Sequence, residues 1–313
     1  MSGKRTSAWD ARIHRWGVRP LWRARFGLGA LQRTRAIHLR STSDVLQAAA
    51  ILSGRHPGLS DPQAPLGPRS LGTSALRPYE LRVTSQNGED GVLAEIIARI
   101  GTGERVVAEF GAGDGSETTT GFLVDWCGWS AAYVEIDSES ARRLARKHQH
   151  EDRVRTACSR ITEENLEPLL ASMGVTDEPD VLSIDVDSVD FWLWRALSHM
   201  QPRIVVIEYN ASLPPGARLT TPRNRQAGWD GATDHYGASL DALVGLGQTK
   251  GYTLVHTDLA GVNAFFVRDD LVDAVGVPDV RRAGPNHWFG SDGPLDTTAD
   301  DDTPEDGCPQ EST

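Results

Sequence analysis

Arg105-Val106-Val107-Ala108-Glu109-Phe110-Gly111-Ala112-Gly113-Asp114-Gly115 decides the architecture. A mostly apolar β-type run passes directly into a turn with glycine at every second position. That arrangement lets a strand end close to the start of a helix and leaves backbone uncovered by any Cβ. The same alternation of strand and helix continues downstream. Apolar β-type runs fall at 105–110, 131–136, 154–157, 181–186, 203–209, 252–257 and 264–267, and helical periodicity at 89–100, 118–127, 138–147, 163–173, 189–199 and 239–250. Strands alternating with helices predict an α/β domain around a parallel sheet. Only residues 258–263 separate the last two strands, too few for a helical crossover, so these two are expected to pair antiparallel. The expected fold is a Rossmann-like, seven-stranded, mostly parallel sheet with a C-terminal antiparallel hairpin and helices on both faces.

The chain has 313 residues, 39% of them hydrophobic and 24% charged, enough for one large core and incompatible with a collagen or wholly disordered chain. Its formal charge of −11 argues against a nucleic-acid binder that works through its overall field. Residues 1–40 nevertheless carry ten Lys or Arg against one acid, and eight acids with no Lys or Arg follow Arg282. The expected division is a basic arm with a short helix (1–55), a Pro- and Gly-rich linker (56–78), the α/β domain (79–289) and an acidic disordered tail (290–313). The arm reads either as a poorly ordered extension or as a basic amphipathic surface built on Trp9, Ile13 and Trp16, able to meet an anionic surface. Three cysteines without paired spacing, no apolar signal core and no membrane-length apolar run together read as a cytoplasmic protein.

The loop after the first strand reads acid-x-Gly-x-Gly-x-Gly, with Ser116 where a dinucleotide fingerprint wants its third glycine. Glu109 and Asp114 would repel a pyrophosphate but suit a cationic group such as a sulfonium amino acid. Glu135 ends the second strand twenty residues after Gly115, where a carboxylate can accept hydrogen bonds from both hydroxyls of an adenosine ribose. Residues 158–160, after the third strand, would flank the adenine.

The fourth strand ends Ser183-Ile184-Asp185-Val186-Asp187-Ser188-Val189-Asp190, and the fifth ends Ile207-Glu208-Tyr209-Asn210. Two-residue alternation puts Asp185 and Asp187 on one face, and if the two strands are parallel neighbours these acids approach Glu208 and Asn210. Crowded acids require a cation, a proton or a hydrogen-bonded ligand. Three readings stay open: a hard cation such as Mg2+ held by Asp185, Glu208 and Asn210; metal-free carboxylates, one acting as general base; or structural pairing, with Asp190 merely beginning a helix and Glu208 meeting Arg203 or Arg223. The long segment 211–236 is rich in aromatic and charged residues and reads as a substrate lid, with His235 as the histidine best suited to acid/base work.

Five segments taken together resemble the FkbM-like group of class I S-adenosylmethionine-dependent methyltransferases: Gln86-Asn87-Gly88-Glu89-Asp90-Gly91, the glycine turn at 109–115, Ile184-Asp185-Val186-Asp187, Pro202 through Asn210, and Asn263-Ala264-Phe265-Phe266-Val267. The resemblance covers about residues 79–268. It implies S-adenosylmethionine as cofactor, with Glu89, Glu109, Gly111, Gly113, Asp114, Glu135 and Asp185 at its site. The resemblance places the segment around Asp185 and Asp187 beside the transferred methyl group, and the leading expectation is transfer to an oxygen of a sugar or small metabolite, with Asp185, Asp187 or His235 deprotonating this small-molecule acceptor directly or through a metal. Relatives of this kind carry Gly and Asn after the second Asp, where this chain has Ser188 and Val189. A noncatalytic binding or assembly protein on the same scaffold is the competing expectation. A second copy of the chain is a further expected partner.

Overall fold

The computed structural model describes residues 76–223, 229, 233–276, 280 and 297–298. The expected arm and nearly all of the linker lie outside the described residues, as does the tail apart from Thr297–Thr298. A 3-10 turn at Arg77–Tyr79 precedes α1 (Glu89–Ile100). There follow β1 (Val106–Phe110), α2 (Gly121–Asp125), β2 (Ser130–Glu135), α3 (Ser138–Lys147), β3 (Val154–Cys158), α4 (Leu166–Ser172), β4 (Val181–Ile184) and α5 (Asp190–Ala196). The chain continues through β5 (Ile204–Glu208), β6 (Leu219–Thr220), α6 (Leu240–Lys250), β7 (Tyr252–Thr257), β8 (Asn263–Arg268), α7 (Asp269–Val275) and β9 (Thr297–Thr298).

Seven strands form one sheet in the order β3-β2-β1-β4-β5-β8-β7, and β6 pairs with β9 apart from it. The first five are parallel, whereas β8 runs antiparallel to both β5 and β7. The expected fold class is therefore the observed one. The short 258–262 connection is tightened by Asp258, whose carboxylate accepts the amides of Gly261, Val262 and Asn263.

Alternate residues of each strand feed two cores. Ala108, Phe110, Leu182, Ile184, Val205 and Ile207 pack beneath α4, α5 and α6, while Val107, Tyr133, Val181, Ile204 and Val206 pack against α1, α2 and α3 on the opposite face. In the first core Trp194 is fully buried, with its ring centroid 4.7 Å from Phe266 and 5.8 Å from Tyr252. Gly247 makes room for that cluster, since a Cβ there would stand 3.1 Å from Trp194 and 3.0 Å from Phe266.

Several predicted elements are shorter than their periodicity, three of them for a reason the hydrogen bonds show. The helix expected at 118–127 begins only at Gly121, because Thr119 and Thr120 give their amides to Glu109. The helix expected to reach 199 ends at Ala196, and Glu167 accepts the amides of Ser198, His199 and Met200 instead. The strand expected over 181–186 stops at Ile184, because the Val186 amide leaves the sheet for the Asp190 carboxylate. Replacing Trp194 by Ala should lower stability by about 3–5 kcal/mol in urea denaturation, as for other fully buried large aromatics. A loss below about 1 kcal/mol would show that this cluster does not hold the α5–α6 face together.

Candidate functional site

The parallel strands end on one edge of the sheet, and the strand order reverses direction between β1 and β4, the place where open α/β sheets leave a crevice. Here Phe110 pairs with Ile184, so the next residues, Gly111 and Asp185, lie side by side. A Cβ on Gly111 would sit 1.8 Å from the Asp185 carbonyl oxygen, and the residue holds φ +80°; both require glycine. Gly113 also has positive φ, at +59°, but a Cβ there would meet nothing within 4 Å. Its backbone faces open space.

That space is a cavity of about 550 Å3, within the usual range for small-molecule sites. One wall is the glycine turn, with Gly111, Gly113, Asp114 and Ser116. A second is the end of β2 and the start of α3: Glu135, Ile136, Asp137, Ser140 and Arg143. Ser159, Arg160 and Ile161 after β3 form a third, and the segment from Asp185 to Val189 the fourth. Ile136 is 58% exposed, an apolar side chain presented to the opening. Six carboxylates line the cavity (Asp114, Glu117, Glu135, Asp137, Asp185 and Asp187) against the two cations Arg143 and Arg160. The balance suits a positively charged or hydroxyl-rich ligand.

Glu135 is buried, with one oxygen accepting the Gly113 amide at 2.7 Å and the other the Asp137 amide at 2.7 Å. A carboxylate offers about four lone-pair sites, so two amide bonds leave acceptor capacity on each oxygen. Asp114 accepts the Ser116 hydroxyl at 2.6 Å and faces Arg143 at 3.7 Å. Partial burial pushes its carboxyl up, but the Ser116 bonds and then Arg143 outweigh this and hold it below the ordinary value.

Glu109 and Glu89 are placed differently. Glu109 turns away from the cavity, taking the Thr119 amide and the Thr120 amide and hydroxyl at 2.7–2.9 Å. Burial pushes its carboxyl up, against those bonds. Glu89 accepts the amides of Asn87 and Gly88, both at 2.7 Å, and the Asn263 side-chain amide at 2.9 Å. Its neighbour Asp90 accepts the amides of Val83, Thr84 and Ser85. The two acids of the Asn-Gly-Glu-Asp-Gly segment thus fasten residues 83–88 to α1 and β8.

Asp185, Asp187 and Glu208 offer carboxylate oxygens that all lie within 4.8 Å of one another. They meet for a different reason than strand alternation: Asp185 and Asp187 follow the end of β4, and Asp187 has φ +59°. Asn210 is close in sequence, but its side chain is engaged by the Ser212 amide and by the carbonyls of Asp234 and Tyr236. Of the arginines expected to be able to meet Glu208, Arg203 bonds Asp180 and Arg223 bonds Glu163. His235 is half-buried and does not line the cavity.

Tyr236 and Arg143 were not singled out from the sequence, and Asp190 was read there only as the start of a helix. The Tyr236 phenol is buried, and burial, then the charges of Glu208, Asp234 and Asp187, raise it well above its ordinary range. Burial likewise pushes the Asp190 carboxyl up to about 7, against the amides it accepts. Arg143 was legible: Asp137, which caps α3, and Ser140 and Arg143 within it recur every third residue and all line the cavity.

No protein-family model matches the chain, and no curated protein matches it in sequence. Among solved structures the chain is similar to one from Galdieria sulphuraria assigned as a sarcosine dimethylglycine methyltransferase, at 16% identity and a TM-score of 0.37 over 53% of this chain and 62% of that one. The match spans less than two thirds of that protein. It is also similar to the glycopeptide N-methyltransferase MtfA complexed with S-adenosyl-L-homocysteine (14% identity, 58% and 90% covered, TM-score 0.36). A third is Aeropyrum pernix fibrillarin with natively bound S-adenosyl-L-methionine (13% identity, 54% and 68% covered, TM-score 0.36). At these scores the likeness carries no argument about the chemistry of this chain.

The two turn glycines should separate on mutation. Gly113→Ala should cost about 1–2 kcal/mol for its positive φ, a melting shift of about 2–8 °C, and impair ligand binding, whereas Gly111→Ala pays the same φ cost and must also push apart β1 and β4, so its melting shift should be at least about twice as large. Equal melting shifts for the two variants would contradict the close approach at Gly111.

Proposed function

We propose that this chain is an S-adenosylmethionine-dependent methyltransferase acting on an oxygen of a sugar or other small metabolite. The observation that carries the reading is the acid-lined cavity at the β1–β4 reversal, with glycine backbone on one side and the buried, hydrogen-bonded Glu135 on the other. The residues present fit the cofactor. The open face of Gly113 admits a ligand against the backbone, Glu135 keeps acceptor capacity for ribose hydroxyls, and Ile136 supplies an apolar surface for a base. Asp114 and Asp185 place negative charge where an ammonium or sulfonium group would be stabilised. When bound, S-adenosylmethionine supplies a methyl group already activated by its sulfonium leaving group. The protein's task is then mainly alignment and deprotonation, and positioning can account for much of the rate.

Asp185 and Asp187 are the groups at the cavity able to take the acceptor's proton, with Glu208 beside them helping to orient the hydroxyl. His235, outside the cavity lining, is the weaker candidate for that proton. A second reading of the same carboxylates is supported by their mutual approach. Their hard oxygen donors fit a divalent cation such as Mg2+, with Asp187 in the place expected for Asn210. The cation would polarise the acceptor hydroxyl and favour its loss of a proton.

Calorimetric titration with S-adenosylmethionine and with its demethylated product, in Mg2+ and again in excess chelator, tests both readings. Micromolar affinity is expected, and loss of methyl transfer to an acceptor in a parallel assay with excess chelator would select the metal reading. Asp185→Asn should abolish transfer while keeping cofactor affinity within about tenfold. Folded protein that binds neither ligand would overturn the proposal in favour of a noncatalytic scaffold.

A further inference from the structure

Among the described residues only Arg105 and Asp187 hold positive φ without being glycine. Asp187 does so at the cavity wall, in the turn that also carries Asp185. A side chain in this conformation costs about 1–2 kcal/mol, so neighbouring interactions must hold it there. The holding group is visible. Asp190, wholly buried in the first turn of α5, accepts the Val186 amide at 2.8 Å on one oxygen and the Ser188 amide at 3.0 Å on the other. The two amides flank Asp187 on either side. In addition the Thr221 hydroxyl donates to the Ser188 carbonyl, and Trp192 of α5 donates its indole N–H to the Thr221 carbonyl at 2.8 Å. A buried carboxylate is costly to desolvate, and two backbone donors offset that cost only when the turn has this one shape.

We propose that Asp190 is a positioning residue: by gripping the amides on both sides of Asp187 it keeps that residue left-handed and aims the Asp185 and Asp187 carboxylates into the cavity. The catalytic half of the inference rests on the methyl-transfer reading above, while the conformational half does not.

A double-mutant cycle on the ligand-free full chain tests the conformational half. Asp190→Asn retains one acceptor oxygen but sets an NH2 group against the second amide, so it should lower the urea midpoint and raise hydrogen exchange in segment 185–189 by about tenfold or more, with β4 and β5 unchanged. Asp187→Gly adopts positive φ without strain. In that background the midpoint shift caused by Asp190→Asn should shrink to about half or less. An undiminished shift, or exchange that rises equally throughout the sheet, would reduce Asp190 to a general stabiliser and overturn the proposal. If Asp190→Asn alone does not fold, recovery of folding in the double variant supports the proposal and its failure there overturns it.

For the catalytic half, Asp190→Asn should lower kcat by about tenfold or more while cofactor affinity stays within about threefold, and Asp190→Glu should restore part of the turnover. Equal losses in affinity and kcat would overturn that half. A wild-type chain that binds no cofactor would remove the methyl-transfer reading and leave the cycle to decide the role of Asp190 alone.

Discussion

The approach of Gly111 to the Asp185 carbonyl is the constraint on which the site depends. It follows from the pairing of Phe110 with Ile184, which brings the ends of β1 and β4 level. A side chain at position 111 would separate the strands, and with them the glycine turn and the Asp185–Val189 wall. The cavity exists because two chain reversals meet there and the helices that follow, α2 and α5, diverge to opposite faces of the sheet.

A second regularity concerns how this acidic chain buries its carboxylates. Asp90, Glu109, Asp180, Asp190 and Asp258 are all buried, and each accepts at least two backbone amides. Loops lack the partners that strands and helices supply to one another, and a carboxylate with two oxygens can satisfy several orphan N–H groups at once. Asp180 adds an ion pair with Arg203 and joins the 103–105 turn to β5, far from the cavity. Charge here fixes backbone, and only a subset of the acids is left to face a ligand.

That subset gives the cavity its character. With Glu109 and Glu89 committed to loop amides, the acids that remain at the opening are those on the β2 end, on the glycine turn and on the 185–187 turn. The apolar Ile136 side chain and the glycine backbone lie among them, so one ligand can meet a flat apolar surface, hydroxyl acceptors and negative charge within a single pocket.

The order of strands and helices, the antiparallel end of the sheet, the glycine turn and the placement of Glu135 at the end of β2 were all determined by the sequence itself. These features rest on short-range periodicity and on steric rules that act within a few residues. The fate of each carboxylate was decided only in three dimensions. Glu109 and Asp114 lie five residues apart in one motif, yet one is buried against Thr119 and Thr120 and the other lines the cavity. Asp185 and Asp187 meet Glu208 through a left-handed turn, not through the strand alternation expected of them, and Asp190 grips that turn although it reads locally as a simple helix start. A carboxylate points to whichever donors desolvate it at least cost, and those donors come from segments that only strand register and tertiary packing bring within reach.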